Sequence, residues 1–342
     1  MLMSMYFSSQ RLKKMTSALK HIEKALVHEI APAYVANAEK ACPNAIRGWR
    51  PTGQLWPLLR ELQGRVIGLR KCRMDVDGAA MIWLEGGNPH GEPVVLLHGF
   101  ASNKENWLLL LPFLAKRYRL YVPDLPAWGE SHFRHEKVYG LDQQADRIAE
   151  WAKKILPAKA HFVGSSMGGG IAGLVASRHP DVTATLTLMN AAGVRGQHGS
   201  TPFERGLLVG NNTLVPSNYA EVVRLFNAVL ERKRTALSLV LASAMGQEMV
   251  SRRHVNRHLF HHMIAHSLQC ERDGVSAVSV PTMILWGEED QVLHHSCVET
   301  FKQLIPHAKV KKLKGVGHLP MVDVPALTAR TLNNFWRDAR SH

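Results

Sequence analysis

The chain has 342 residues, 46% of them hydrophobic and 20% charged, a composition ordinary for a folded globular protein and long enough to bury a large core. No apolar run reaches the roughly 18 residues of a spanning helix, and the longest, Trp107 to Ala115, is broken by Pro112, which excludes an integral helical membrane protein. Lys and Arg number 42 against 28 Asp and Glu, a net +14 that favours anionic surfaces, and half of it falls in residues 1–70, with 11 Lys or Arg and four Asp or Glu.

In chain order, residues 1–70 read as a basic leader. Met15, Leu19, Ile22, Leu26 and Ile30 recur at helical spacing with Lys20, Glu23 and Lys24 off the stripe, so an amphipathic helix is expected there. Such a helix either packs on the main domain or lies on an anionic membrane. The first apolar residues precede the basic cluster Arg11, Lys13, Lys14, the reverse of a secretory signal, so a cytoplasmic chain is expected, peripheral to the inner membrane face where the leader touches lipid. The four cysteines (Cys42, Cys72, Cys270, Cys297) have no metal-like spacing and read as reduced thiols.

From residue 72 the pattern changes. Residues 73–78 and 80–85 form an alternating pair turning at Asp77-Gly78, a hairpin signal. Pro93 to His98 is a continuous apolar run, as expected of a strand buried on both faces. Tyr118 to Asp124, Ala160 to Val163, Thr183 to Met189, Thr282 to Trp286 and the more polar Ala308 to Leu313 are further strands. Asp142 to Leu156 and the stretch after Gly168 are helices. The alternation through 92–190, resumed at 281–337, predicts an α/β fold with a mostly parallel central sheet flanked by helices. Residues 195–275 lack strand patterns and predict a helical cap. The expected organisation is a leader (1–70), a first core part (71–194), a cap (195–275) and a second core part (276–342).

The chemistry centres on Gly164-Ser165-Ser166-Met167-Gly168, a G-x-S-x-G pentapeptide between an apolar strand and a small-residue helix. A serine at such a turn is exposed above the sheet, and the Met167 N–H opens a helix where an oxyanion is held. A nucleophilic serine needs a base and an acid to orient that base. In the order serine, acid, histidine, the chain offers an acidic turn after a strand, Trp286-Gly-Glu-Glu-Asp290, and then His318 in Gly315-Val-Gly-His-Leu-Pro320. Asp290 is the expected acid, with Glu288 and Glu289 as alternatives. His98-Gly99-Phe100 follows the first parallel strand, placing the Phe100 N–H as second oxyanion donor and leaving His98 a structural loop residue.

These segments, with Asp124-Leu-Pro, together resemble the α/β-hydrolase superfamily. The stretch His98-Gly-Phe-Ala-Ser-Asn-Lys-Glu-Asn-Trp107 is similar to monoacylglycerol-lipase-like enzymes and related bacterial lipases and esterases. The similarity spans about residues 72–338. It implies that Ser166 attacks a carboxylic ester, with Asp290 and His318 completing a triad and Phe100 and Met167 donating to the oxyanion. It implies a small-molecule ester as partner, of medium-chain or monoacylglycerol type, and no cofactor. The chain departs from the pattern at Ala127, where a glycine is usual after D-x-P. A carbon–carbon bond hydrolase of vinylogous diketones and a non-catalytic binding protein are the alternatives on the same fold.

His254, His258, His262 and His266 recur every four residues on one face of a cap helix, beside His261. No acidic partner accompanies them, so a near-neutral cap surface is expected and no metal. Arg252-Arg253 and Arg232-Lys233-Arg234 are read as solvated or lipid-docking clusters. No nucleic-acid motif accompanies the charge, so no nucleic acid is expected. Leu237 to Ala242 is a candidate acyl-pocket lining.

Overall fold

A computed structural model describes residues 67–231, 234–266 and 274–340. The amphipathic helix expected in the leader lies outside the described residues, as do Arg232 and Lys233. Eight strands form one sheet in the order β1-β2-β4-β3-β5-β6-β7-β8. β1 (Arg70–Val76) and β2 (Ala79–Gly87) make the antiparallel hairpin, turning at Asp77 (φ 48°) and Gly78 (φ 70°), the two left-handed residues that suit the twist of a tight hairpin. β2 is also antiparallel to β4 (Arg119–Pro123). All remaining pairs, among β3 (Pro93–Leu97), β4, β5 (Ala160–Ser165), β6 (Thr183–Met189), β7 (Thr282–Gly287) and β8 (Lys309–Leu313), are parallel.

The central strands are apolar because both faces are covered. Val94 to Leu97, Phe162, Val163, Ile284 and Leu285 are all fully buried. Helix α1 (Leu111–Leu114) is a single turn after the β3 loop. α2 (Leu141–Ile155) buries Ala145, Ile148, Ala149 and Ala152 at helical spacing and keeps Lys153 and Lys154 in its last turn, where cations suit the helix dipole. α3 (Met167–Arg178) is buried along Met167 to Ala176, which its small residues permit. α8 (Cys297–Leu304), α9 (Pro320–Asp323) and α10 (Pro325–Arg340) complete the layers.

Among the described residues, four α-helices lie between β6 and β7: α4 (Pro202–Leu208), α5 (Tyr219–Val229), α6 (Arg234–Ser251) and α7 (Arg253–His266). α4 starts at a capping box, Thr201 with Glu204, and α5 at Asn218, whose Oδ1 accepts the Glu221 N–H at 3.0 Å. This layer is tied to the core at named points. Thr201 Oγ1 donates to the Val292 carbonyl (2.8 Å), and the His318 N–H donates to the Val229 carbonyl at the end of α5 (3.0 Å). Among the described residues, no helix is long and apolar enough to cross a membrane.

The chain reverses direction across the sheet at β3, which has β4 on one side and β5 on the other. In an open parallel sheet, the crevice beyond the strand ends at such a switch point is where ligands bind. Leu97 pairs with Gly164, so the loops that follow β3 and β5 leave the sheet side by side.

Candidate active site

Ser166 sits at the second of these strand ends, directly after β5. Its backbone is at φ 54°, ψ −123°, outside the regions a side-chain-bearing residue prefers, at a cost of order 1–3 kcal/mol. The surrounding structure holds it there. The Ser166 N–H donates to the Met189 carbonyl (3.0 Å), and its carbonyl accepts from Gly169 (2.9 Å) and Ala192 (2.8 Å). So sharp a turn brings the start of α3 against two strands. A Cβ on Gly164 would lie 2.1 Å from the Gly168 carbonyl oxygen, and one on Gly168 would lie 2.3 Å from that of Leu97. Both glycines of the pentapeptide are therefore required by backbone contact.

Asp290 follows β7 and His318 follows β8, so both emerge at the same end of the sheet as Ser166. His318 Nδ1 is 2.7 Å from Asp290 Oδ2, and both side chains are buried. The carboxylate is fully engaged. Oδ2 also accepts from Asn190 Nδ2 (2.7 Å), while Oδ1 accepts from the N–H groups of Val292 (2.7 Å) and Leu293 (3.0 Å). With only acceptors facing it, His318 Nδ1 carries the ring proton and Nε2 keeps its lone pair. Glu288 and Glu289 meet this part of the sheet through backbone N–H groups, donated to the carbonyls of Leu313 and Val316. Of the three acids in the turn, Asp290 is the one bonded to His318.

Asn190 escapes a sequence reading. It is fully buried, with φ 42°, and its Oδ1 accepts the Gly287 N–H (3.0 Å) while its amide holds Asp290. Its place directly after β6 is the one signal available. Asp323 escapes as well. Its carboxylate accepts the Gly317 N–H (2.8 Å) and the Glu231 N–H (3.1 Å), clamping the histidine loop to the end of α5.

Phe100 follows β3 and Met167 opens α3. Neither backbone N–H donates to another described residue. Gly99 lies so close to the serine that a Cβ there would be 3.1 Å from Ser166 Cβ. His98 is structural. Its Nε2 accepts the Leu125 N–H (3.0 Å), so Nδ1 bears the proton and donates to the Gly99 carbonyl (2.8 Å). Desolvation pulls its pKa down to about 4, against the opposing pull of Asp124.

That burial makes stability depend on pH. His98 and His161, the latter also lowered to about 4 by desolvation, are neutral in the folded chain and take up protons near 6.5 when unfolded. Their contribution is complete above pH 6.5 and is lost as pH falls from there toward 4, up to about 3 kcal/mol for each. The expected result is a Tm that drops steadily between pH 7 and 5, with a shallower slope in His98→Gln, which keeps an acceptor and a donor but does not titrate. A flat Tm over that range overturns the assignment.

The loop after β4 is held by charge. Asp124 accepts the backbone N–H of Lys104 (2.8 Å) and of Glu130 (2.8 Å), and pairs with Lys104 Nζ at 2.6 Å. Ala127, at the departure from the family pattern, adopts φ 79°, a glycine-like conformation. Its carbonyl receives the Arg252 guanidinium.

Two readings of the cap need correction. Arg252 is only 4% exposed and bonded to the core, not part of a solvated or lipid-docking cluster. The histidine face of α7 is not a plain surface: His258 packs on Phe133 (5.9 Å) and on His262 (4.1 Å), which stacks with Tyr139 (6.4 Å). Burial lowers the pKa of His258 and of His261. Among the described residues, no group of three or more His, Cys, Asp or Glu is placed to hold a metal ion. The side chains of 237–240, most of the candidate acyl-pocket lining, lie outside the described residues, whereas Ala242 is fully buried.

Known proteins are similar to this chain. The chain is 29% identical over 259 residues to Lipase 1 of Psychrobacter immobilis, covering 75% of this chain and 81% of that protein. It is 29% identical over 294 residues to monoacylglycerol lipase abhd6-B of Xenopus laevis, covering 81% and 85%. Among solved structures, a membrane phospholipase A described as a bacterial virulence factor superposes with a TM-score of 0.79 at 30% identity, covering 84% of this chain and 92% of that one. The model of the α/β-hydrolase fold family matches residues 92–325, from the strand β3 through the loop that carries His318, and the chain belongs to that family.

Proposed function

We propose that the protein is a serine carboxylester hydrolase acting on medium-chain or monoacylglycerol-type esters. The observation that carries the reading is the 2.7 Å bond between His318 Nδ1 and Asp290, which leaves Nε2 as a base at the strand ends where Ser166 stands on its strained turn. His318 Nε2 takes the Ser166 proton as Oγ attacks the ester carbonyl. The tetrahedral oxyanion is held by the N–H groups of Phe100 and Met167, each worth about 3 kcal/mol in the transition state. The imidazolium, stabilised by Asp290, then protonates the departing alkoxide and leaves an acyl group on Ser166. Water repeats the sequence in reverse and releases the acid.

Three relatives named as lipase, monoacylglycerol lipase and phospholipase A support ester chemistry on acylated glycerol. The helices α4 to α7 stand as the cap over the site, joined to it at Val292 and His318. The test is hydrolysis of p-nitrophenyl esters from two to sixteen carbons, with a fluorophosphonate adduct mapped by mass spectrometry. A rate that peaks at one chain length, with the adduct on Ser166, is expected. No ester hydrolysis by the folded chain, with turnover of a vinylogous diketone, moves the assignment to a carbon–carbon bond hydrolase. No adduct and no turnover moves it to a binding protein.

A further inference from the structure

Arg252 stands at the junction of two cap helices, between the last residue of α6 and the first of α7. Burial draws its pKa down to about 10, which leaves the guanidinium a cation at neutral pH. A charge removed from water persists only where hydrogen bonds and opposite charge offset the desolvation. Both sides of the cap–core boundary supply them. On the cap, Nε donates to Asn256 Oδ1 at 3.0 Å, and Glu248, one helical turn earlier, adds a favourable field. On the core, Nη2 donates to the Ala127 carbonyl, and Asp124 adds a second favourable field.

The core-side bond lands where the loop most needs support. Ala127 holds φ 79°, which costs a residue with a Cβ of order 1 kcal/mol or more and persists only where the surroundings impose it. The next residue, Trp128, packs edge-on against Phe100 (6.0 Å, 74°) and His98 (6.4 Å, 76°). Phe100 is gripped from the other side by Phe260 of α7 (5.2 Å, 82°). The residue that supplies one oxyanion donor is thus wedged between the loop that Arg252 holds and the helix that begins beside Arg252.

We infer that Arg252 is a positioning residue: it latches the cap to the 124–129 loop and, through Trp128, fixes where the Phe100 N–H points. The inference rests on the reaction proposed above. A loosened oxyanion donor weakens the transition state and leaves substrate binding nearly untouched, so the effect belongs in kcat and not in KM.

The test uses the full chain with p-nitrophenyl butyrate and counts active sites by fluorophosphonate labelling. Arg252→Met is expected to lower kcat per active site roughly 10- to 100-fold, less than the roughly 10²- to 10³-fold cost of removing an oxyanion donor outright, with KM little changed. Arg252→Lys keeps the charge but loses the planar fork, and falls between parent and Met. Adding Ala127→Gly to Arg252→Met lets the loop hold its left-handed turn without help, and is expected to return kcat to within about fivefold of the parent. An arginine that merely stabilised the fold would lower Tm and the number of active sites, and glycine at 127 would not restore the turnover of each site. The inference is overturned if both Arg252 variants keep the parent kcat, or if the loss in Arg252→Met is not recovered by Ala127→Gly. Where Arg252→Met does not fold, Arg252→Lys with and without Ala127→Gly makes the same comparison. A parent that hydrolyses no ester, or an active Ser166→Ala, counts against the proposed reaction and not against the latch.

Discussion

Asp290→Asn is expected to lower kcat on a p-nitrophenyl ester about 10⁴-fold, equivalent to roughly 5.5 kcal/mol of transition-state stabilisation. Four donors converge on the Asp290 carboxylate: His318 Nδ1 and Asn190 Nδ2 on one oxygen, the N–H groups of Val292 and Leu293 on the other. An asparagine presents one oxygen and one NH2. If the oxygen keeps the two backbone donors, the NH2 faces His318 and drives its proton to Nε2, the nitrogen that must be free to accept from Ser166. If the amide turns over, the NH2 meets two backbone N–H groups and the turn after β7 loses its anchor. The first orientation leaves no free base, and the second keeps the His318 tautomer but loosens the turn that aims it. Ser166→Ala removes the nucleophile and is expected to cost at least as much. The double variant should be no slower than Ser166→Ala alone, because residues of one catalytic unit are not additive. An Asp290→Asn protein with kcat within tenfold of the parent, folded by circular dichroism, removes Asp290 from the role of orienting acid.

The strands and the site's outline were legible because the physics that forms them is local. A run such as Val94-Val-Leu-Leu97 has one comfortable environment, the middle of a sheet covered on both faces, and Asp77-Gly78 between alternating strands suits one kind of turn. Gly164 and Gly168 are dictated by neighbouring backbone, since a Cβ at either would meet a carbonyl oxygen at 2.1 or 2.3 Å, so the pentapeptide carries geometry and not merely composition. What stayed illegible depends on chain segments far apart. Of three acids in one turn the sequence points to Asp290 but leaves Glu288 and Glu289 open, and it is the path of the backbone after β7 that aims Asp290 at His318. Arg252 beside Arg253 reads as a solvated pair until a carbonyl 125 residues earlier is brought to it. Ala127 was visible as a departure, but its meaning, a left-handed alanine held from the cap, needs the dihedral and the partner together. Asn190 carries no motif at all and is defined by what it bonds.

Lys104→Met is expected to be the most destabilising of the conservative single substitutions around the site, costing about 3–5 kcal/mol, because it leaves a buried carboxylate without its cation. Lys104 is 1% exposed, with Nζ 2.6 Å from Asp124, 2.9 Å from Glu130 and 3.2 Å from Glu105. Burial alone would lower its pKa, but the three carboxylates outweigh burial and raise it above the ordinary lysine value, so it stays charged at every accessible pH. Asp124 is fully buried and also accepts the N–H groups of Lys104 and Glu130, so it cannot swing out to water without releasing both loops. In a chain of this size the cost corresponds to a Tm lower by about 4–7 °C at pH 7.5. A Tm gap between parent and Lys104→Met that is small at pH 7.5 would mean that Lys104 does not neutralise Asp124 and that the loops carrying Phe100 and Trp128 are joined by packing alone.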